Sequence, residues 1–190
     1  MREYDQIAEW YATARDPEVG IPELADFARG LPPHARVLDL GCGNGIPISR
    51  FLLQEGFDVV ALDSSLEMIE RYRAAFPSVP ARCGRIQDAH FAAESFDAVV
   101  AWGVLFHLSE DDQRAVVRQV SDWLKPGGQF FFTSGDVQGS KQGEMNGVAF
   151  HYVSLGADGY RELLERSGME LKTHFNDPGD NHVYVAEKVA

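Results

Sequence analysis

Short apolar runs alternate along the chain with stretches whose apolar positions recur at helical spacing. Arg36 to Leu40, Asp58 to Asp63 and Phe96 to Trp102 are runs of similar length with a β-branched bias, the pattern of parallel strands buried on both faces. Gln129 to Ser134 predicts the next strand. Between them, Ser64 followed by Glu67 forms a capping box, and Leu66, Ile69 and Phe76 recur at near-helical spacing until Pro77. A second box, Ser109 to Asp112, opens a helix with Val116, Val117, Val120, Trp123 and Leu124 on one face, ended by Lys125-Pro126-Gly127-Gly128.

Towards the end of the chain, Tyr160 to Arg166 reads as helix and Met169 to Phe175 as strand. Asn181 to Val189 alternates as a further strand beyond the turn Asp177-Pro178-Gly179, which predicts a terminal antiparallel hairpin. The alternation predicts one α/β domain over residues 1–190: a Rossmann-like doubly wound sheet, mostly parallel, covered on both faces. Two segments stand outside it. The start, residues 1–31, is amphipathic, with Tyr4, Ile7, Ala8 and Tyr11 on one helical face. Asp136 to Gly147 is rich in glycine and polar residues. Both are expected to act as lids.

Composition leaves this picture intact and narrows the partners. The 190 residues are 45% hydrophobic and 24% charged, the balance of an ordinary globule. Twenty-nine acidic against 17 basic side chains give a net charge of −12, which opposes phosphate-covered surfaces and argues against nucleic acid and anionic membrane. Cys42 and Cys83 have neither disulfide-framework nor zinc-site spacing, so no metal is expected and a reducing, cytoplasmic compartment is.

Val37-Leu38-Asp39-Leu40-Gly41-Cys42-Gly43-Asn44-Gly45 places a glycine turn where the first strand becomes helix, the crevice where open α/β sheets bind ligands. Glycine there admits close approach of a ligand to the backbone. Asp63 ends the second strand, 20 residues after Gly43, where a carboxylate can accept from ribose hydroxyls. Ile46 occupies the position that a dinucleotide fingerprint gives to a small residue, and no Gly-Lys-Ser/Thr follows, so NAD and ATP are disfavoured.

Val37 to Gly45 resembles the first motif of the class I S-adenosylmethionine-dependent methyltransferases, and the resemblance continues in order through Asp63, Gln87-Asp88-Ala89, Phe96 to Val100 with Trp102, and Leu124 to Gly128. The family implies seven strands. It also implies that Asp39 braces the loop, Gly41 and Gly43 hold the methionine part of the cofactor, and Asp63 holds the ribose. Ser64 and Met68 would flank the adenine, Asp88 would accept from its exocyclic amine, and Gln87 and Ala89 complete that segment. Tyr11 and Arg15 would close on the amino-acid end, and segment 136–157 would lie by the acceptor.

What the resemblance implies is transfer of a methyl group from S-adenosyl-L-methionine, leaving S-adenosyl-L-homocysteine, to a small-molecule oxygen, nitrogen or sulfur nucleophile by in-line displacement. Positioning alone can lower such a barrier by about 7 to 11 kcal/mol. Histidine suits any base required, and the candidates are His107, after the fourth strand, His151, after the lid segment, and also His182. After the fourth strand the chain runs Ala101-Trp102-Gly103-Val104, without the Asn/Asp-Pro-Pro-aromatic pattern of base and glutamine methylation. Two alternatives remain at this point: a binding module without catalysis, and a nicotinamide oxidoreductase. Oligomeric state is not legible.

Overall fold

The structure, a computed structural model, describes residues 2–189; positions 1 and 190 of the expected domain lie outside the described residues. Two helices come first, α1 (Arg2–Ala14) and α2 (Ile21–Ala28). Alternation then begins with β1 (Arg36–Leu40), α3 (Ile48–Gln54), β2 (Asp58–Asp63), α4 (Leu66–Ala75), β3 (Ala81–Cys83), β4 (Phe96–Ala101), α5 (Glu110–Trp123) and β5 (Leu124–Ser134). A hairpin, β6 (Gln138–Met145) and β7 (Val148–Leu155), precedes α6 (Gly156–Arg166), β8 (Met169–Asn176) and β9 (His182–Lys188). Short 3-10 turns occupy Ile86–Asp88 and Leu105–His107.

The seven-stranded sheet runs β3-β2-β1-β4-β5-β9-β8. Its first five strands are parallel, and β9 lies antiparallel between β5 and β8, so the expected terminal hairpin is present. Strand order reverses at β1 and β4, and the crevice beyond their carboxyl ends is the place this topology offers a ligand.

The continuous apolar runs have a direct cause: neighbouring residues bury on opposite faces. Leu38, Val99, Phe130 and Phe132 pack with α5 and α6, through Val116, Val120, Tyr160 and Leu164. Val37, Ala98, Val100 and Phe131 pack with α2 and α3, through Leu24, Phe27, Ile48 and Leu52. Residues 1–31 therefore divide: α2 belongs to the core, and α1 turns Tyr4 and Tyr11 to the crevice. No helix among the described residues is long and apolar enough to cross a membrane.

Two local expectations shift. The cap of α4 is Ser65, not Ser64: Ser65 is extended, and its hydroxyl accepts from the Met68 amide at 3.2 Å. Ser109 caps α5 as expected. Segment 136–147 is not an irregular lid. Most of it is β6, paired with β7 as a separate two-stranded sheet, with Asn146 and Gly147 at φ 48 and 76 forming the two-residue turn.

Candidate functional site

At the carboxyl end of β1 the chain leaves the sheet through Gly41, Cys42 and Gly43. Gly41 has φ +71, and a Cβ there would stand 2.5 Å from Val104 Cγ2, so only glycine fits between the loop and the segment after β4. Gly43 has φ +54, and a Cβ there would meet nothing within 4 Å. The space above it is open to a ligand. Asp63, at the tip of β2, holds the loop: its carboxylate accepts from the Gly43 amide at 2.9 Å and the Ser65 amide at 2.8 Å. Burial pushes the Asp63 carboxyl up, and these amide bonds pull it back.

Behind the loop, Asp39 is 1% exposed. It accepts from the Ser49 hydroxyl of α3 at 2.6 Å, and Ser49 accepts from the Tyr72 phenol of α4 at 2.9 Å. Burial pushes Asp39 up to about 7, against the Ser49 bond and the Arg15 guanidinium. A consequence follows for stability. Between the unfolded value of 3.8 and about 7, the ligand-free folded protein keeps a proton that the unfolded chain has lost. Stability therefore falls as pH rises through that window, by roughly 1.4 kcal/mol per pH unit at most from this group. Asp39→Asn is expected to match wild type near pH 4 and exceed it at pH 8. Urea unfolding at both values checks this, and an unchanged pH dependence in the variant would remove Asp39 as its source.

From α1 come Tyr4 and Tyr11, and just beyond it Arg15. The Arg15 guanidinium lies 5.1 Å from the Tyr11 ring centre and, among the described residues, makes neither hydrogen bond nor ion pair. Burial lowers its proton affinity, which the nearby Tyr4 and Asp39 partly restore. A cation without an ion-pair partner in such a half-buried position can take an anionic group.

After β4, Trp102 stacks on Phe131 with ring centres 5.7 Å apart, and the Gly103 amide donates to the Thr133 hydroxyl at 2.8 Å. His107, on its 3-10 turn, has Nε2 3.0 Å from the Tyr4 phenol oxygen. Nδ1 is buried without a well-formed hydrogen bond, although the main chain of His151 lies close enough to favour a proton on the ring. Burial pushes His107 down to about 4, so it is neutral at neutral pH.

Tyr11, Arg15, Asp39, Gly41, Gly43, Asp63, Ser64, Met68, Trp102 and His107 line one cavity, about 650 Å³ including its open mouth. The remaining expected site residues stand elsewhere. Gln87 donates to Asp112 at 3.0 Å, Asp88 faces Arg85 at 3.8 Å in solvent, and Ala89 packs on the core. Ile86 takes their place in the wall, because the 3-10 turn directs it inward and Asp88 outward. The His151 side chain is exposed, because β7 alternates and turns Phe150 inward. His182 bonds to His174 at 2.9 Å beside a second cleft. Tyr4 was no candidate on sequence, although it shares a helical face with Tyr11.

The second cleft, about 1560 Å³ including its open mouth, lies between the β6–β7 hairpin and the ends of β5, β8 and β9. Asp136, Lys141, Glu144, Tyr152, Asp180 and Phe106 are among its walls. Phe106 and Tyr152 also contact the His107 ring, at 4.7 and 5.2 Å between centres, and so separate the two spaces.

Comparison with known proteins places this geometry in context. Residues 37–128 match the family model of a methyltransferase domain. The carboxy-S-adenosyl-L-methionine synthase of Vibrio cholerae is 28% identical over 152 residues, covering 75% of this chain and 62% of that protein. The ubiquinone biosynthesis O-methyltransferase of Xanthomonas axonopodis pv. citri is 36% identical over 112 residues, covering 56% of this chain and 46% of its own. The chain thus spans less than two thirds of the length of these relatives. The CcbJ methyltransferase from Streptomyces caelestis shares the fold, with a TM-score of 0.81 at 21% identity over 99% of this chain and 98% of that one.

Proposed function

From the methyltransferase-domain match over residues 37–128 and the shared fold, we propose that the chain is a class I S-adenosylmethionine-dependent methyltransferase and that it methylates a small polar acceptor. One observation carries the reading: a braced carboxylate, Asp63, and a half-buried cation without an ion-pair partner among the described residues, Arg15, line the cavity that opens above Gly43. The chemistry of these two groups suits the two polar ends of S-adenosyl-L-methionine, with hydroxyls to Asp63 and carboxylate to Arg15. Met68, 1% exposed, offers an apolar side to the base.

When bound, the cofactor supplies a methyl already activated by its sulfonium. The protein's share is placement. Asp63 and the Gly43 backbone orient the nucleoside, Arg15 and Tyr11 hold the amino-acid end, and α1 excludes water from the mouth. The acceptor docks at the second cleft, guided by the hairpin within segment 136–157, and reaches the cofactor cavity when the Phe106 and Tyr152 rings that divide the two spaces part. Its carboxylates and Lys141 suit a polar molecule, and the Phe106 and Tyr152 rings form an apolar edge next to His107. A net charge of −12 keeps polyanionic acceptors away. Both thiols stand free, in keeping with the cytoplasmic compartment proposed.

Calorimetric titration tests the reading. Micromolar binding of S-adenosylmethionine and S-adenosylhomocysteine is expected, with none for NADH. Labelled methyl should then appear on members of a panel of small alcohols, phenols and amines. Binding without turnover across that panel would favour a binding module, and absence of binding would remove the cofactor assignment.

A further inference from the structure

His107 is closed to an acceptor on both ring nitrogens. Nε2 is occupied by the Tyr4 phenol at 3.0 Å, and Nδ1 is sealed against the His151 segment. Around the ring stand Phe106, Phe150 and Tyr152, with centres 4.7, 5.6 and 5.2 Å away. Whatever His107 does for an acceptor must pass through Tyr4.

Tyr4 is placed for that. It comes from α1 and lines the cavity with Gly103 and Val104, just beyond β4, and with Met68 of α4. Its ring is fixed edge-on by Tyr11 at 5.3 Å and Phe150 at 5.2 Å. A phenol donates one hydrogen bond and can accept others. In the tautomer that carries its proton on Nδ1, Nε2 is the accepting nitrogen and Tyr4 the donor. The lone pairs of the phenol oxygen are then left for the cavity.

We propose that Tyr4 is a catalytic residue that takes the proton of the acceptor's attacking atom while passing its own to Nε2 of His107. The proposal rests on the methyl-transfer reading and narrows it: the acceptor carries a hydrogen on the attacking atom, as a hydroxyl or an amine does. As that atom bonds to the methyl carbon, the carbon–sulfur bond breaks with its electron pair left on sulfur. The acceptor's proton goes to the Tyr4 oxygen, the Tyr4 proton goes to Nε2, and the sulfonium charge reappears on the imidazole.

Burial sets the resting charges of the pair. Burial holds the Tyr4 phenol well above its ordinary value against the pull of Arg15, with Tyr152 and Asp63 adding to the rise. With His107 held down at about 4, the pair is neutral before reaction from mildly acidic pH upwards, and the burial that opposes an imidazolium is offset in the relay by loss of the sulfonium charge.

The test uses the whole chain, labelled with 15N-histidine and saturated with S-adenosylhomocysteine. Long-range 1H–15N correlation is expected to show His107 protonated on Nδ1, with Nε2 accepting. Tyr4→Phe should shift Nε2 alone towards the unbonded value. On the alcohols and amines that wild type methylates, Tyr4→Phe is expected to lower kcat about a hundredfold, with KM changed less than about threefold. His107→Gln should cost as much, and the double variant no more, because the two act as one unit. A proton on Nε2, an unmoved Nε2 signal, wild-type turnover by Tyr4→Phe, or equal turnover of tertiary-amine counterparts would overturn the relay. Failure of S-adenosylhomocysteine to bind wild type would instead overturn the cofactor reading beneath it.

Discussion

Asp63→Ala is expected to weaken S-adenosylhomocysteine binding by about a hundredfold or more. Two losses add. The ligand hydroxyls lose a charged acceptor, at about 1.5–3 kcal/mol per hydrogen bond, and every ~1.4 kcal/mol is tenfold in affinity. The Gly43 and Ser65 amides, now held at 2.9 and 2.8 Å, lose their common partner, and the glycine loop loses its fixed shape above the cavity. Asp63→Asn should fall between, since one oxygen still accepts while its amide group opposes an N–H. Calorimetry gives the affinities, and thermal unfolding of each variant shows that the fold persists. Affinity within about threefold of wild type in Asp63→Ala would place the ribose elsewhere.

The second large effect lies in the core. Phe132 is fully buried, stacked on Phe130 at 4.6 Å and on Tyr184 at 4.8 Å, with the Tyr160 edge at 5.3 Å. These rings join β5 to β9 and α6, and the next residue, Thr133, holds the Gly103 amide at the mouth of the site. Phe132→Ala is expected to cost about 3–5 kcal/mol, because the rigid neighbours cannot close the cavity left behind. At about 2–4 °C per kcal/mol for a chain of this size, the midpoint of thermal unfolding drops by roughly 6–20 °C. A loss under about 1 kcal/mol would mean that the surrounding rings collapse into the space and that the stack is not a rigid support.

What could be read from the residues alone follows from burial. β1, β2, β4 and β5 were legible because both faces of each strand are covered, leaving apolar runs with no polar alternation. The loop and Asp63 were legible because glycine and carboxylate at that spacing have few other uses. β6 was not, since Gln138 to Met145 is mostly solvent-exposed and has no apolar face to alternate. Its one signal was Asn146-Gly147, a hairpin turn between runs too polar to suggest strands. Asp88 and His151 were assigned by their place in the chain. Each is turned outward by local geometry, a 3-10 turn in one case and strand alternation in the other. Tyr4 could not be singled out, because its partner His107 lies 103 positions away and only the folded sheet brings them together.

Ser65 uses the two sides of its hydroxyl separately. A lone pair accepts from the Met68 amide and starts α4, while the proton goes to the Asp5 carboxylate of α1 at 2.5 Å. If α1 swings away, water replaces Asp5 and the cap on α4 remains. Ligand entry then requires no helix to melt, only the parting of surfaces and a few polar bonds. Such a rearrangement belongs to the microsecond-to-millisecond range of domain and lid motions rather than the slower range of local unfolding.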